Sequence, residues 1–340
     1  MNARKLLLVF ILSLVLVPLF SAVGTSPAAT VNLIRNEIIT YDMLDKEVKK
    51  YNAPEENRLD VLNLMINDRV FLQGAERDGI TVSNQQREEM YRNYKKNYEN
   101  STGTTITQQQ FDEMAINALG SVEEFKDALK NQYILDSYVD KVKGDELRSL
   151  DVTPSETEIN NFYRKNKSNF YQDEHIKLAH IFIPKEGDNA VDSQNATLMN
   201  KIAADIKANR ISFEKAVKQY SKDPDSVNIG GDIGWLTLSN ESAIRALGDN
   251  FIDKAFALEA GEISSVIESN VGYHIVKVSV HNDGKMLALT DSISPEESMT
   301  IHDYIAQVLS NQKLEEAYNN AVDSLVKSLR GEARVRILYK

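Results

Sequence analysis

Apolar and polar positions change their spacing several times along the chain. An apolar run from Leu6 to Phe20 contains no charge and follows Arg4 and Lys5. Residues 31–40 (VNLIRNEIIT) have strand composition with a polar break at Arg35-Asn36-Glu37, the pattern of a small hairpin. The spacing then becomes helical. Met43, Leu44 and Val48 recur behind Thr40 as an N-cap, and Pro54 opens a stronger helix striped by Val61, Leu64, Met65, Val70, Phe71 and Leu72. Ser83 caps a third helix carrying Met90, Tyr91, Tyr94 and Tyr98, and the polar tract Asn100 to Thr107 reads as a loop. Helices over 121–143 and 155–168 follow, the second capped by Ser155 after Pro154.

Near residue 170 the pattern turns mixed. HIKLAHIFI (175–183) alternates as a strand and stops at Pro184. One helix presents Ala196, Met199, Ile202, Ala203 and Ile206 on one face, and a shorter one presents Phe213, Ala216, Val217 and Tyr220. After a glycine-rich loop come a short strand (Asp232 to Leu236), a helical stretch (Phe251 to Leu258), a turn at Gly261 and strands near 264–268 and 273–280. That order predicts a compact α+β unit. From Pro295 a long helical stripe resumes: Ile301, Tyr304, Ile305, Val308, Leu309, Leu314, Tyr318, Val322, Leu325 and Leu329. The chain closes on a short alternating strand, ARVRILYK. Such a stripe needs a partner, and the N-terminal helices are the available one. The predicted division is residues 1–24 as a signal, 25–170 as a helical domain, 171–283 as the α+β unit, and 284–340 returning to complete the helical domain, its final strand pairing near 31–40.

The first 24 residues change the picture of where the chain goes. A charged start, an apolar segment and small residues at Ala22-Val23-Gly24 have the layout of a secretory signal. The alternative is an uncleaved membrane anchor. The predicted location is therefore exported, in the periplasm or cell envelope, either free or anchored by that segment. The chain has no cysteine, which excludes disulfides and thiol catalysis. Its net charge of −11 becomes about −13 if Arg4 and Lys5 are removed, a surface that repels nucleic acid and anionic lipid.

Candidate chemistry concentrates in Tyr220 to Leu236, YSKDPDSVNIGGDIGWL, which holds the chain's single tryptophan. A calcium loop fails on count: from Asp223, position 5 is Val227, position 6 is Asn228 and position 12 is Gly234. A phosphate cradle fails on charge, because the glycines flank Asp232 and no cation follows closely. A tight turn at Gly230-Gly231 into a short strand remains.

The neighbouring segments add a resemblance. LAHIFI, FEKAVKQYSKD, GGDIGWL, FIDKAFALEAGEIS and VGYHIVKV, in that order within 175–281, resemble the parvulin (PpiC, rotamase) family of peptidyl-prolyl cis–trans isomerases. The flanking helices and NEIITYDMLDKEV resemble the layout of SurA- and PrsA-type exported chaperones. The implied architecture is α+β: a parvulin-like domain, a small sheet with surrounding helices, inserted in a mainly helical chaperone domain that the C-terminal helix completes. The implied catalytic residues are His180, Asp223 and His274. The implied proline-ring contacts are Ile233, Leu247 and Phe251, with Leu247 standing where the family usually has methionine and Val271 where some members have a hydroxyl. Each also has a plainer reading: the histidines as a mutually satisfied core pair, Asp223 as a turn residue before Pro224, and Phe251 and Trp235 as packing. His175, His281 and His302 have no motif support and read as structural.

Prolyl isomerisation crosses an amide-resonance barrier without breaking a bond between heavy atoms. No metal, nucleophile or cofactor is then required. The implied partners are unfolded or folding exported polypeptides, outer-membrane proteins among them, with no nucleic acid and no metal. The second function class is a holdase, binding unfolded chains with an inert parvulin unit. On the sequence alone, Asp223→Ala is expected to lower isomerisation with little loss of stability.

Overall fold

The computed structural model describes residues 26–339. The signal expected over residues 1–24 lies outside the described residues. The described residues divide into two compact units, 26–153 with 310–339, and 154–309.

In the first unit β1 (Pro27–Asn32) and β2 (Asn36–Thr40) form an antiparallel hairpin with Thr30 opposite Ile38. Gln73 organises its turn, its side-chain oxygen accepting from the backbone N–H of Leu33 at 2.9 Å and Ile34 at 3.0 Å. The helices are α1 (Tyr41–Lys50), α2 (Arg58–Arg77), α3 (Asn84–Thr102), α4 (Gln108–Leu119) and α5 (Val122–Arg148). Thr40 caps α1 and Ser83 caps α3, each accepting from a backbone N–H in the first turn. Helix α3 consumes the start of the tract expected as a loop. Helix α4, absent from the sequence reading, is capped by Thr107, which forms a capping box with Gln110. On α2, Val61, Met65, Val70 and Phe71 are buried, but Leu64 is 50% exposed and lies off the stripe.

The second unit contains α6 (Glu156–Lys165), β3 (Tyr171–Gln172), β4 (His175–Pro184), α7 (Asn189–Lys207) and α8 (Phe213–Tyr220). It continues with β5 (Asp232–Thr237), α9 (Glu241–Leu247), α10 (Asp249–Phe256), β6 (Ile267–Glu268), β7 (Gly272–Asn282) and β8 (Lys285–Met286). Strands β5-β4-β7-β6 make an antiparallel sheet in that order. Strands β4 and β7 pair from His175 opposite Asn282 to Pro184 opposite Gly272. The alternation seen in HIKLAHIFI separates the two faces of β4. Ile176, Leu178, Val276 and Val278 pack with Phe251, Ile252 and Ala255 of α10. Ile181, Ile183 and Ile275 pack with Met199 and Ile202 of α7 and Phe213 and Val217 of α8.

This unit is wider than 171–283. Ile159, Phe170, Leu287, Ile301 and Ile305 form a further core, the Tyr163 hydroxyl donates to the Leu287 carbonyl at 2.7 Å, and β3 pairs with β8. These contacts bring α6 and residues 285–309 into the second unit.

The long helix α11 (Ile301–Glu332) therefore divides its stripe. Ile301 and Ile305 serve the second unit's core, whereas Ala321, Leu325 and Leu329 are buried in the first unit's. Between them Leu314 is 46% exposed. Strand β9 (Arg334–Ile337) then pairs antiparallel with β1, Val335 opposite Val31, and completes the β2-β1-β9 sheet.

Candidate active site

The sheet register sets two histidines diagonally on one face. His180 lies opposite Val276 and His274 opposite Phe182, so their side chains project from the same side of adjacent strands. Their Nδ1 atoms are 3.3 Å apart. Asp223, in the loop that follows α8, reaches the outer end of the pair: its Oδ2 lies 2.9 Å from His180 Nε2. The Ser226 hydroxyl donates to the same oxygen, and the Asp225 N–H reaches Oδ1 at 3.3 Å. At the inner end Ser269 Oγ lies 2.8 Å from His274 Nε2.

Counting donors orders the protons along this row. Ser269 Oγ already accepts from the backbone N–H groups of Val271 and Gly272, each at 3.1 Å. Its two lone pairs are occupied, and the hydroxyl proton has two acceptors in reach, the Gly272 carbonyl at 3.2 Å and His274 Nε2 at 2.8 Å; the shorter contact assigns it to His274 Nε2. His274 then carries its proton on Nδ1 and donates to His180 Nδ1. His180 in turn carries its proton on Nε2 and donates to Asp223. The tautomers are assigned by this count. Every member has one role, and the row ends on a carboxylate.

Burial decides the charges. His274 is 1% exposed; desolvation, then the neighbouring His180, pushes its pKa down to about 3. His180 is also held below the ordinary imidazole value, because burial outweighs its hydrogen bond to Asp223. For Asp223 burial pushes upward, but the hydrogen bonds from Ser226, His180 and the Asp225 backbone together outweigh it and hold the carboxyl below the usual range. At neutral pH the row is two neutral imidazoles beside one anion.

The glycine-rich loop fits against this row by backbone alone. Gly231 has φ +83°, and a Cβ there would lie 2.4 Å from the His180 carbonyl oxygen. The close approach lets His180 N–H donate to the Gly231 carbonyl at 2.8 Å. Gly272 plays a similar part on β7, where a Cβ would lie 2.4 Å from the Ile183 carbonyl oxygen.

The apolar candidates are placed differently from one another. Phe251 is fully buried with its ring edge-on to His274, centroids 4.8 Å apart. Ile233 is 39% exposed on β5. Leu247, half-buried, packs with the core that holds Phe251, and its carbonyl accepts from the Asn270 N–H. Phe182 was not singled out from sequence, yet it stacks on His180 at 5.7 Å and lies 4.8 Å from His274. Ser269 and Ser226 were missed too. The hydroxyl that meets His274 is that of Ser269, two residues before Val271, and Val271 itself is 43% exposed. The only cue was a serine in the turn before β7.

The remaining aromatic and histidine residues lie elsewhere. Trp235 packs on His175, ring centroids 5.2 Å apart, towards the other end of β4. His175 is buried between the Asp173 carbonyl and Asn282, His281 bonds the Leu258 carbonyl and Glu174, and His302 contacts Glu156.

Residues 161–282 match the family model of the PPIC-type PPIase domain. The chain is 32% identical to the chaperone SurA of Sodalis glossinidius (strain morsitans) over 147 residues, 43% of this chain and 30% of that one. It thus spans about a third of the length of the curated relatives it matches. Among solved structures, a SurA-like chaperone of Campylobacter jejuni aligns over 90% of this chain and 99% of that one, with 18% identity and a TM-score of 0.37. The peptidylprolyl isomerase PrsA of Bacillus anthracis aligns over 78% of this chain and 96% of that one, with 20% identity and a TM-score of 0.29. The second unit carries a parvulin-type domain. Beyond that domain, the chain's likeness is to part of the SurA chaperones.

Proposed function

We propose that this protein is a peptidyl-prolyl cis–trans isomerase and folding chaperone for exported polypeptides. The observation that carries the reading is the proton-ordered row Ser269–His274–His180–Asp223, two buried neutral imidazoles ending on a held anion. In a planar X–Pro amide, resonance places negative charge on the carbonyl oxygen and double-bond character on C–N. A carboxylate fixed beside that oxygen disfavours the charge-separated form, and the twisted amide, which has lost it, is relatively favoured. Asp223 is the group in that role. His180 and Ser226 are positioning residues that keep it ionised and aimed. The partly exposed Ile233 offers the proline ring an apolar contact, where a less polar twisted amide suffers least from leaving water. The step needs no covalent intermediate.

A second reading, a holdase with an inert parvulin unit, has one observation in its favour. Phe251 is 0% exposed, so its ring has no free face for a proline ring. A protease-coupled assay on Ala–X–Pro peptides separates the two. Acceleration over the uncatalysed rate, lost in Asp223→Asn, supports the enzyme. No acceleration, together with suppressed aggregation of an unfolded client, leaves the holdase.

A further inference from the structure

A cavity in the second unit, lined by none of the residues of the histidine row, lies between α6, β3 and the first turns of α11, with a volume of about 330 Å³. Its composition is unusual for this protein. None of its ten lining residues is Asp, Glu, Lys, Arg or His, in a chain where 26% of residues are charged. Its walls are the rings of Phe162, Tyr171 and Tyr304 and the carboxamides of Asn166, Asn169 and Gln172.

Several of these groups are free to bind. Tyr171 is 54% exposed and Tyr304 37% exposed. Among the described residues, the Tyr171 and Tyr304 phenols and the Asn169 and Gln172 carboxamides make no internal hydrogen bond. Asn166 uses one N–H on the Phe162 carbonyl, at 2.8 Å, and keeps a second. Tyr171 and Gln172 are also the two residues of β3, which among the described residues pairs with β8 alone. The rings are braced from behind: Phe170 stacks on Tyr163 at 5.6 Å and meets Tyr304 edge-on at 6.5 Å.

We propose that this cavity binds an uncharged, proline-containing extended segment of polypeptide. Three properties fit such a ligand together. A polyproline II segment makes no internal hydrogen bonds and leaves its carbonyls in need of donors; the carboxamides and phenols supply them. Proline rings seat on aromatic faces, and Tyr171 and Tyr304 present theirs. The uncharged lining imposes no desolvated ion on a neutral ligand, whereas a charged residue entering it would find no counter-charge. The inference rests on the reading that polypeptide is the ligand of this unit, and it holds for isomerase and holdase alike. A client held here is presented to the histidine row at raised effective concentration.

The test is titration of the full-length protein with the capped peptide acetyl-Ala-Pro-Pro-Ala-Pro-Pro-Ala-amide, followed by amide chemical shifts. Saturable shifts are expected at Tyr171, Gln172 and Tyr304. Tyr171→Ser and Tyr304→Ala should each weaken binding roughly tenfold or more while leaving turnover of a short Ala–X–Pro substrate unchanged. Tyr171 is mostly exposed, so its replacement keeps the fold. A peptide that does not bind, or that binds both variants as tightly as the native chain, overturns the proposal. So does a neutral trisaccharide such as maltotriose that saturates the same residues while the peptide does not. Loss of isomerase turnover with peptide binding intact would remove the enzymatic reading and leave this site standing.

Discussion

Acidification should destabilise the second unit through His274. The perturbation is a drop from about pH 7.5 to pH 5. In the unfolded chain the imidazole has a pKa of about 6.5, so it takes up a proton within this interval. In the folded chain its pKa lies near 3, so it does not. A histidine whose folded pKa is depressed contributes full stability above the unfolded value. That stability is lost as pH falls from about 6.5 towards 3, because the unfolded state binds the proton first. At about 1.4 kcal/mol per unit, the loss at pH 5 is roughly 2 kcal/mol. Such a loss is substantial against total stabilities of about 5–15 kcal/mol. His180, depressed for the same reason, adds in the same direction. The titratable groups that act on His274 are His180 and Asp223, and neither changes the sign.

Two measurements check this. Urea unfolding of the native chain and of His274→Gln at constant ionic strength should differ in pH dependence by about 2 kcal/mol over this interval; Asp68 of the first unit, raised to about 7 by burial, titrates in both chains and cancels in the comparison. Ring resonances of His274, followed by ¹⁵N correlation spectra through the same interval, should stay in one neutral tautomer with Nδ1 protonated. A His274 signal that titrates near pH 6.5 in the folded protein refutes both the burial and the proton order assigned to the row.

Ser269→Ala leaves two backbone N–H groups and His274 Nε2 without their partner, and should cost about 1–3 kcal/mol. The same ¹⁵N spectra should show His274 as a tautomer mixture. Asp223→Asn should lower kcat/KM for an Ala–X–Pro peptide by about tenfold or more. Asp223→Ala, expected from sequence to leave stability nearly intact, should instead lower it by about 1–3 kcal/mol in chemical denaturation, because it strands the His180 and Ser226 donors. Gly230→Ala meets open space at φ +74° and should cost about 1 kcal/mol. Gly231→Ala adds a collision with the His180 carbonyl and should cost clearly more in the same measurement. The double variant His180→Leu/His274→Phe should equal or exceed the native stability at pH 5 while losing isomerisation.

Much of this arrangement was legible in the sequence because it depends on short periods. The alternation in HIKLAHIFI and VGYHIVKV fixes which residues share a face, so His180 and His274 could be placed inward before their strands were seen to pair. The capping signals at Thr40, Ser83 and Ser155 likewise reach only three residues. Other features depend on contacts that no local pattern encodes. Ser226 and Ser269 bond partners only three and five residues away, Asp223 and His274, but those contacts gain a role only because His180 arrives from a distant strand to join Asp223 to His274. The α11 stripe looked continuous because periodicity reports an apolar face and not which core it enters; Leu314 lies exposed where the stripe passes from one core to the other. The residues 154–170 read as helical-domain sequence because α6 is helical. Their membership of the second unit comes from Ile159 and Phe170 meeting Leu287 and Ile301, more than a hundred residues away.

Whether the row is a site or only a satisfied core turns on its energetics. A buried polar network stabilises a fold only when every member is satisfied, and an apolar replacement of similar volume is often as stable or more so. Here the imidazoles are fully bonded, yet their burial makes the unit acid-sensitive, and the anion at one end is held at 18% side-chain exposure. Packing alone gives no reason to keep that cost, because Phe182 and Phe251 already fill the space on either side of His274 with rings. A carboxylate fixed at the rim by a chain of neutral donors is costly as architecture and useful as an electrostatic device. The isomerase reading therefore requires activity and acid stability to separate. A leucine and a phenylalanine in place of the two histidines should improve the second and abolish the first, and if both fall together the row belongs to the core.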